Sequence, residues 1–453
     1  MTKTLTFRNV APFLVLAAVA IASIFVKPVA DFADTTKYNG ADVAWILVAT
    51  ALVFLMTPGL AFFYGGMVHR KNVISTMIKS VVAAGVVSVL WVVVGYSLAF
   101  GDSIGGFIGN PFTHLFYQGV NSDGPWSLAP TIPKTLFSLF QLMFAIITPG
   151  LVVGAVAERI RFTSYILFTV LFSILVYAPL AHWSWHPDGF LFKLGALDFA
   201  GGTVVHISAG CAALAGALVL KRRKVHLDRK EIPPANVPYV LIGTGLLWFG
   251  WFGFNAGSAL GANALAVSAF ATTNAAAGAA GLSWMFFDVL RGKKPSVLGF
   301  CIGAVVGLVA ITPGAGFVAI PQSIFIGVVA AIISNLAVQL KHKSTLDDTL
   351  DVFPCHGIGG MVGMLLTGVF ATKAVNSFGN DGLFYGNASF FLTQLKAMSI
   401  AVVYSFVVSF LIFKFINFVQ PLRVTEEEEE LGLDASQHDE KYVQGTLITS
   451  QKD

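Results

Sequence analysis

The chain has 453 residues, of which 56% are hydrophobic and only 11% are charged, and its mean hydropathy is +0.76. Soluble domains average about 25% charged residues, so this composition excludes an ordinary soluble protein. The formal net charge of +4 comes from a few loops and is no evidence for nucleic-acid binding. We therefore predict an all-α polytopic membrane protein that binds no nucleic acid.

The first thirty residues have the pattern of a secretory signal peptide. Lys3 and Arg8 precede an apolar run from Ala11 to Val26, and this run contains Ala20-Ile21-Ala22, a triplet like a signal-peptide cleavage site. We predict a signal peptide over residues 1–30, with an uncleaved first helix as the alternative. Either interpretation places residue 40 outside.

Eleven windows with few or no charged residues follow, each about 16 to 24 residues long, which is close to the length that one helix needs to cross the hydrocarbon. Each window is predicted to be a transmembrane helix. The windows are Val43 to Tyr64, Ser80 to Gly101, Thr135 to Ala157, Phe162 to Trp183, Phe199 to Leu220, Pro238 to Phe254, Ala264 to Phe287, Val297 to Thr312, Pro321 to Leu340, Val352 to Ala371 and Ala397 to Phe413.

Lysine and arginine are concentrated in alternate loops, and the positive-inside rule makes those loops cytoplasmic. With the loop after Tyr64 inside, roughly sixteen basic residues lie inside against six outside. The mature N-terminus is then outside and the C-terminus cytoplasmic. After Pro421 the chain becomes acidic, with five consecutive glutamates at 426–430. We predict that residues 421–453 form a cytoplasmic tail, and runs of like charge are usually solvated.

The first ten windows divide into two sets of five, at about 40–225 and 236–372, in a membrane domain of residues 31–420 that ends with a final helix at about 390–419. An odd number of crossings per set inverts the second half relative to the first. Many transporters have such an inverted repeat, with the substrate path between the halves. The fifth window contains His206 and the tenth contains His356, so equivalent helices would each place one imidazole near the middle of the membrane.

Each of these histidines lies in an apolar stretch shortly after an aspartate, His206 after Asp198 and His356 after Asp351. Ionisable residues at membrane depth are costly and usually functional. A lone membrane histidine is as often a packing residue, but two at matching positions favour function. Metal or haem binding is the alternative, since imidazole is a common ligand. The sequence offers no third ligand cluster nearby, so we predict no metal and no cofactor.

An apolar path with two neutral imidazoles suits a weak base that sheds its proton. A bare ammonium-sized cation loses of order 20 kcal/mol of hydration in a low-dielectric interior, whereas an amine with a pKa of about 9 is deprotonated at pH 7 for roughly 3 kcal/mol. Aromatic faces at the outer mouth would gather the cation first, at up to about 2 kcal/mol each. The residues considered for this mouth are Phe140, Phe144, Trp183, Trp185, Phe254 and Ser258.

Eight ordered segments resemble the ammonium transporter family of the Amt/Rh superfamily, over residues from about 40 to 440. They are GLAFFYGGMVHRKN, FQLMFAIITPGLVVGAVAERIRF, AHWSWHPDGF, GALDFAGGTVVHISAG, WFGFNAGSA, ITPGAG, DVFPCHGIGG and RVTEEEEELGLD. The resemblance implies a homotrimer in which each eleven-helix protomer has its own narrow path. It also implies that the acidic tail is regulatory and docks a PII-type nitrogen regulator.

The matching positions imply roles at the outer mouth. Phe144, Trp185 and Ser258 resemble the site that recruits ammonium, with Phe140 beside it. Phe144 and Phe254 resemble a stacked phenyl gate beneath this site. Trp185 is preferred to the other tryptophan of the segment because of its spacing from the preceding histidine.

Further positions imply roles along the path. His206 and His356 resemble paired pore imidazoles that share a hydrogen bond, and Thr312 matches a threonine close to the path. Asp198 resembles an aspartate near the mouth that serves either site architecture or deprotonation.

The predicted function is transport of ammonium, or methylammonium, across a bacterial inner or plasma membrane, without enzymatic activity. The cation binds at the mouth, loses its proton, and crosses as ammonia. The alternative is an ammonium sensor that signals through a PII-type partner and transports little. A membrane enzyme that uses the histidines as metal or haem ligands is a third hypothesis.

Overall fold

The computed structural model describes residues 7–27, 38–120, 122, 124–230 and 232–442. Residues 1–6 and 28–30 of the predicted signal peptide, and residues 443–453 of the predicted tail, lie outside the described residues. The described chain is mostly helical. It also contains one antiparallel hairpin, β1 Ser103–Ile104 and β2 Ile108–Gly109, in which Ser103 pairs with Gly109.

In four places of the described chain the helix widens into a π-helix, with hydrogen bonds from residue i to residue i+5. The helices in chain order are α1 Phe7–Ile24, α2 Gly40–Met67, α3 Val73–Leu90, π1 Trp91–Gly95, α4 Tyr96–Phe100, α5 Lys134–Val156, α6 Phe162–Phe172, π2 Ser173–Tyr177, α7 Ala178–Trp185, α8 Phe190–Lys193, π3 Gly202–Ile207, α9 Ser208–Leu220, α10 Lys224–Leu227, α11 Val237–Gly257, α12 Ala264–Leu290, α13 Val297–Ile311, α14 Ile320–Lys343, π4 Phe353–Ile358, α15 Gly359–Phe370, α16 Ala388–Val419, α17 Glu426–Leu431 and α18 Leu433–His438. Short 3₁₀ turns lie at Leu115–Tyr117 and Leu383–Tyr385.

Ten helical segments of the described chain are long and apolar enough to cross a membrane, so the prediction of a polytopic all-α protein is confirmed. The window predicted at Val297 to Thr312 accounts for the difference from eleven. It forms α13, whose 15 residues extend about 22 Å at 1.5 Å per residue, less than the roughly 30 Å of hydrocarbon. Thr312, just before Pro313, still has helical φ and ψ of −50° and −46°, and turns follow at residues 312–317. The short helix packs against α12 and α14.

Helix α1 covers part of the predicted signal peptide. Its apolar side chains are largely exposed, with Phe13 at 70% and Ile24 at 77% of full exposure. A cleaved signal peptide and an uncleaved membrane anchor are both apolar helices. The signal peptide therefore stays a prediction.

Helix α5 lies at the centre of the bundle, because α2, α3 and α9 pack around it and bury nearly all of its side chains. Helices α2 and α11, which begin the two predicted halves, pack directly against each other. At Gly243 an added Cβ would lie 2.3 Å from the backbone nitrogen of Phe63. Small residues permit this close approach of helix backbones in membranes.

The acidic tail folds against the rest of the protein. Arg161 donates to both carboxylate oxygens of Glu428, at 3.2 and 2.7 Å, and Arg423 pairs with Glu429 at 2.6 Å. Asp434 accepts the backbone N–H of Ser75 at 2.7 Å. The expectation of a solvated acidic run is therefore wrong for Glu428 and Glu429, because basic side chains compensate their charge.

Candidate functional site

A cavity of about 400 Å³ lies at the end of the bundle where α5 begins and where α7 and α11 end. Phe144, Trp185 and Ser258 all line it, so the structure brings these three predicted site residues together. Phe144 and Trp185 meet edge to face, with ring centroids 5.8 Å apart. Ser258 donates its hydroxyl proton to the backbone oxygen of Phe254 at 2.9 Å. The hydroxyl oxygen is therefore oriented to accept from a ligand.

The two tryptophans of the sequence segment have different positions. Trp185 donates its indole N–H to the backbone oxygen of Asp198 at 2.9 Å, which fixes the ring at the cavity wall. Trp183 instead packs against Tyr404, with ring centroids 4.4 Å apart, and donates to the backbone oxygen of Phe107 at 2.6 Å. Of the two, Trp185 is the one at the cavity.

Phe144 and Phe254 separate the outer cavity from the next one. Their ring centroids are 4.3 Å apart and their planes are inclined by 36°. Phe144 forms part of the wall of the outer cavity, whereas Phe254 forms part of the wall of the cavity beneath. Phe140 is fully buried against Phe144 at a centroid distance of 4.9 Å. It supports the Phe144 ring from behind. A solute that passes must displace at least one ring of the Phe144–Phe254 pair.

Beneath the phenyl pair, a cavity of about 10 Å³ contacts His206 and His356, and one water-sized molecule needs about this volume. The two histidines are 1% and 4% exposed, and their Nδ1 atoms are 3.4 Å apart. A hydrogen bond between two neutral rings at these atoms requires one Nδ1 to carry the proton and the other to accept it. Nε2 of His206 has no hydrogen-bond partner among the described residues.

Helix π3 contains His206, and Asp198 caps its beginning. The carboxylate accepts the backbone N–H groups of residues 201–203 at 2.9, 2.6 and 2.8 Å and also the hydroxyl of Thr203. Both carboxylate oxygens are thus engaged within the protein. Since the backbone oxygen of Asp198 holds Trp185, this one residue connects the mouth to the first histidine.

Helix π4 contains His356, and the aspartate that binds the backbone at its beginning is Asp348. Asp348 accepts the backbone N–H groups of residues 352 and 353 at 3.0 and 2.7 Å, whereas Asp351 pairs with Lys341 at 2.6 Å. Asp348 precedes its histidine by eight positions, as Asp198 precedes His206, and this equal spacing is the signal that identifies it.

Trp251 lines the narrow cavity and was not selected from the sequence. Its ring stacks on His206 with centroids 5.2 Å apart and planes 16° from parallel. Its indole N–H donates to the hydroxyl of Thr312 at 3.0 Å, so Thr312 reaches the path through Trp251. Trp251 precedes Phe254 by three positions on α11, and residues at this spacing share a helix face.

A third cavity, of about 20 Å³, continues beyond His356. Phe63 and Val305 line both this cavity and the histidine cavity, which places them at the passage between the two. Cys355 also lines the inner cavity. The described residues contain no group of three or more His, Cys, Asp or Glu side chains that could hold a metal ion.

Buried charges lie past this end of the path. Arg223 binds Glu158 at 2.5 Å and Asp347 at 2.8 Å. Burial alone raises the pKa of Asp347, but hydrogen bonds from Arg223 and the charge of Arg159 outweigh it and hold this pKa well below its usual range. The four side chains form a compensated ionic cluster between the loops after α5, α9 and α14.

These features define a multi-pass membrane protein in which an aromatic cavity leads, through a pair of phenyl rings, to two buried imidazoles. A sequence model described as the Ammonium Transporter Family matches residues 44–443. The chain belongs to this family, which confirms the resemblance seen in the sequence.

Relatives and solved structures agree with this assignment. An ammonium transporter of Bacillus subtilis is 48% identical over 409 residues, which cover 90% of this chain and 99% of the relative. The crystal structure of Saccharomyces cerevisiae Mep2 matches with a TM-score of 0.83 and 36% identity, over 91% of this chain and 93% of that one. A structure described as a sensor Amt protein matches with a TM-score of 0.79 and 30% identity, over 88% and 98%.

Proposed function

We propose that the protein transports ammonium by binding the cation in the outer cavity, removing its proton, and conducting ammonia past the two histidines. The supporting observation is the unbroken order of Phe144, Phe254, His206 and His356 along one narrow path. The rings of Phe144 and Trp185 attract the cation by up to about 2 kcal/mol each once it is desolvated. The hydroxyl oxygen of Ser258 accepts one of its N–H groups.

Loss of the proton occurs before the solute reaches the narrow cavity. The lining of this cavity is apolar apart from the imidazoles of His206 and His356 and the indole of Trp251. An intact cation has no compensating carboxylate there, and its burial is far costlier than deprotonation of the amine. Nε2 of His206 is free to hydrogen-bond ammonia. Asp198 acts as an architectural residue, because its carboxylate oxygens are engaged by residues 201–203.

The outer cavity faces the outside of a bacterial inner or plasma membrane, and the tail lies in the cytoplasm, where ammonia is protonated again. Contacts of the tail with basic residues of the loops, such as Arg161, support this orientation through the positive-inside rule. The protein is a homotrimer with one path in each protomer. The surface formed by these loops and the tail is the docking site for a PII-type regulator.

Purified protein in liposomes tests the transport function. A jump of external ammonium chloride should produce uptake, followed as current on a solid-supported membrane and as a change in internal pH, and methylammonium should also enter. Tetramethylammonium has no proton to lose and should give no signal above protein-free liposomes. Equal entry of tetramethylammonium would refute the deprotonation step.

The second candidate is an ammonium sensor that transports little, and the similarity to the sensor Amt protein favours it. Liposomes that contain no other protein distinguish the two functions. Net uptake under these conditions identifies a transporter. Saturable binding of ammonium without uptake identifies a sensor.

A further inference from the structure

Gln141 presents an unusual polar group at the wall of the outer cavity. It lies on α5 and lines the cavity together with Phe144 and Trp185, although its side chain is only 8% exposed overall. Its Oε1 atom is buried and has no hydrogen-bond partner among the described residues. A buried hydrogen-bond acceptor without a partner costs folding free energy. Because Oε1 of Gln141 is such an acceptor at the wall of a ligand cavity, we infer that the ligand supplies its partner.

The place of Gln141 on its helix directs it at the recruited solute. Gln141 and Phe144 are three positions apart on α5, and residues at this spacing share a helix face. The amide therefore lies one turn from the phenyl pair, toward the beginning of α5 and the open cavity. Rotation of the side-chain amide by half a turn exchanges its oxygen and nitrogen, so the oxygen can face the cavity in either orientation of the amide.

Ser258 is the acceptor already proposed for the cation, and three other polar groups at the cavity are less suited to bind it. The carboxylate of Asp198 is engaged by backbone N–H groups, and the side-chain oxygen of Asn376 accepts the backbone N–H of Phe378 at 3.1 Å. The indole of Trp126, although unpaired, is only a donor. The Gln141 oxygen is thus a neutral acceptor that is not committed within the described chain.

We propose that Gln141 is a specificity-determining residue of the outer site, whose amide oxygen accepts a hydrogen bond from an N–H of the recruited ammonium ion. Ring faces attract any small cation, whereas a hydrogen bond requires an N–H directed at Oε1. Each methyl group on the nitrogen replaces one N–H, so methylammonium satisfies Oε1 only in orientations that direct one of its three N–H groups there, and Gln141 favours ammonium over methylated amines. The inference rests on the proposed function, because it specifies how the same site selects its substrate.

The test compares Gln141→Met with wild type in liposomes. Methionine has nearly the same length and removes the acceptor. We expect the KM for ammonium to rise about tenfold, which corresponds to 1.4 kcal/mol. The KM for methylammonium should rise by less, and the maximal rate should stay within about twofold, since an affinity loss alone leaves the rate of passage intact. Gln141→Glu, which retains acceptor oxygens, should keep a low KM for ammonium.

Thermal unfolding distinguishes this role from a structural one. Because Oε1 is unpaired in the empty protein, Gln141→Met should unfold at the same temperature as wild type or higher. Gln322→Met is the matched control: Gln322 at the start of α14 also has a buried unpaired Oε1 but lies outside the cavity lining, and its substitution should leave KM unchanged. Unchanged KM in Gln141→Met, or an equal rise for both amines together with a lower unfolding temperature, would overturn the proposal.

Ammonium-dependent stabilisation of the purified protein gives a second readout that does not need transport. Ammonium chloride should raise the unfolding temperature of wild type more than sodium chloride does, and Gln141→Met should lose most of this difference. If wild type is stabilised in this way but shows no uptake, the transport function fails while the role of Gln141 stands. If uptake occurs and the variant is stabilised as wild type is, the role of Gln141 fails.

Discussion

The two ends of the path compensate charge by different means, backbone N–H groups at the outer end and charged side chains at the inner end. At the outer end, Asp198 is the carboxylate of the cavity lining, and its oxygens are engaged by backbone N–H groups. At the inner end, Arg223, Glu158 and Asp347 form a buried ionic cluster with Arg159. In both places charge is compensated within the protein. Charged side chains therefore hold the loops together at the inner end, whereas the path of the solute past the phenyl rings and histidines contains no charged side chain among the residues that line it.

The largest expected effect is at the inner cluster. Arg223→Met leaves Glu158 and Asp347, whose side chains are 5% and 1% exposed, without their shared cation. Breaking a buried pair in this way costs about 3–5 kcal/mol, which thermal unfolding in detergent measures. Arg222→Met is the control, since Arg222 donates to His226 alone within the described part of the chain. Equal losses in the two variants would contradict the special role of the cluster.

The same variant should change the pH dependence of stability. In wild type the pKa of Asp347 lies well below its usual range, so its contribution is complete above about pH 4 and is lost as pH falls through the folded value. Without the Arg223 guanidinium, the pKa of Asp347 loses its main lowering contacts and rises, although Arg159 remains, and protonation then relieves the buried charge. The difference in unfolding temperature between wild type and variant should therefore shrink as pH falls from 7 to 4. A constant difference would contradict this account.

A smaller effect is expected at the two capping aspartates. Asp198→Ala removes the acceptor of three backbone N–H groups and should cost about 3 kcal/mol, since hydrogen bonds to charged groups contribute about 1.5–3 kcal/mol each and part of the loss is recovered by relaxation. Asp348→Ala should destabilise similarly, as it caps π4. The two should differ in function: Asp198→Ala also loosens Trp185 and should raise the KM for ammonium more. Equal KM values for ammonium in the two variants would show that Asp198 does not contribute to ammonium binding at the mouth.

Much of this architecture follows from local patterns in the sequence. Apolar windows and loop charges predict the helices, and the placement of His206 and His356 in corresponding windows predicts that they meet. Thr312 could be named only through the family resemblance, since its link to the path is a hydrogen bond from Trp251. That contact joins α11 to the end of α13, and no local pattern reports a contact between distant segments.

The features that the sequence does not reveal also have physical causes. Asp351 is the aspartate nearest to the VFPCHGIGG segment, but Asp348, three positions earlier, is the one that accepts backbone N–H groups at the start of π4. The glutamates 426–430 looked solvated because a run of like charge has no partner within itself. One partner, Arg161, lies 267 residues earlier in the chain than Glu428, so the local sequence does not reveal it. The count of eleven crossings stays a prediction, because α13 is apolar but has only 15 residues.

His206→Ala tests whether the rate and selectivity of uptake depend on the imidazole in the middle of the path. The substitution removes Nε2, the stack on Trp251 and the hydrogen bond to His356. We expect the ratio of ammonium to methylammonium uptake, or the uptake rate itself, to change about tenfold, which is the loss of one hydrogen bond of about 1.4 kcal/mol. His226→Ala, on the short helix α10, should leave both quantities unchanged. Unaltered uptake and selectivity in His206→Ala would refute the assignment of this histidine to the pore.

The smallest effect is expected in the tail, where charge compensation occurs near the surface. Arg161 and Glu428 are 25% and 27% exposed, and exposed ion pairs contribute about 0.2–1 kcal/mol. Glu428→Gln keeps an acceptor for the capping box at Thr425 but weakens the bond to Arg161. Hydrogen exchange of residues 426–438 should therefore become a few times faster, and the KM for ammonium should not change. Glu440→Gln removes the same charge from an exposed position and should leave exchange as it is in wild type. If Glu428→Gln instead raised this KM, the tail would be coupled to the outer cavity, and the separation between a neutral path and charged loops would fail.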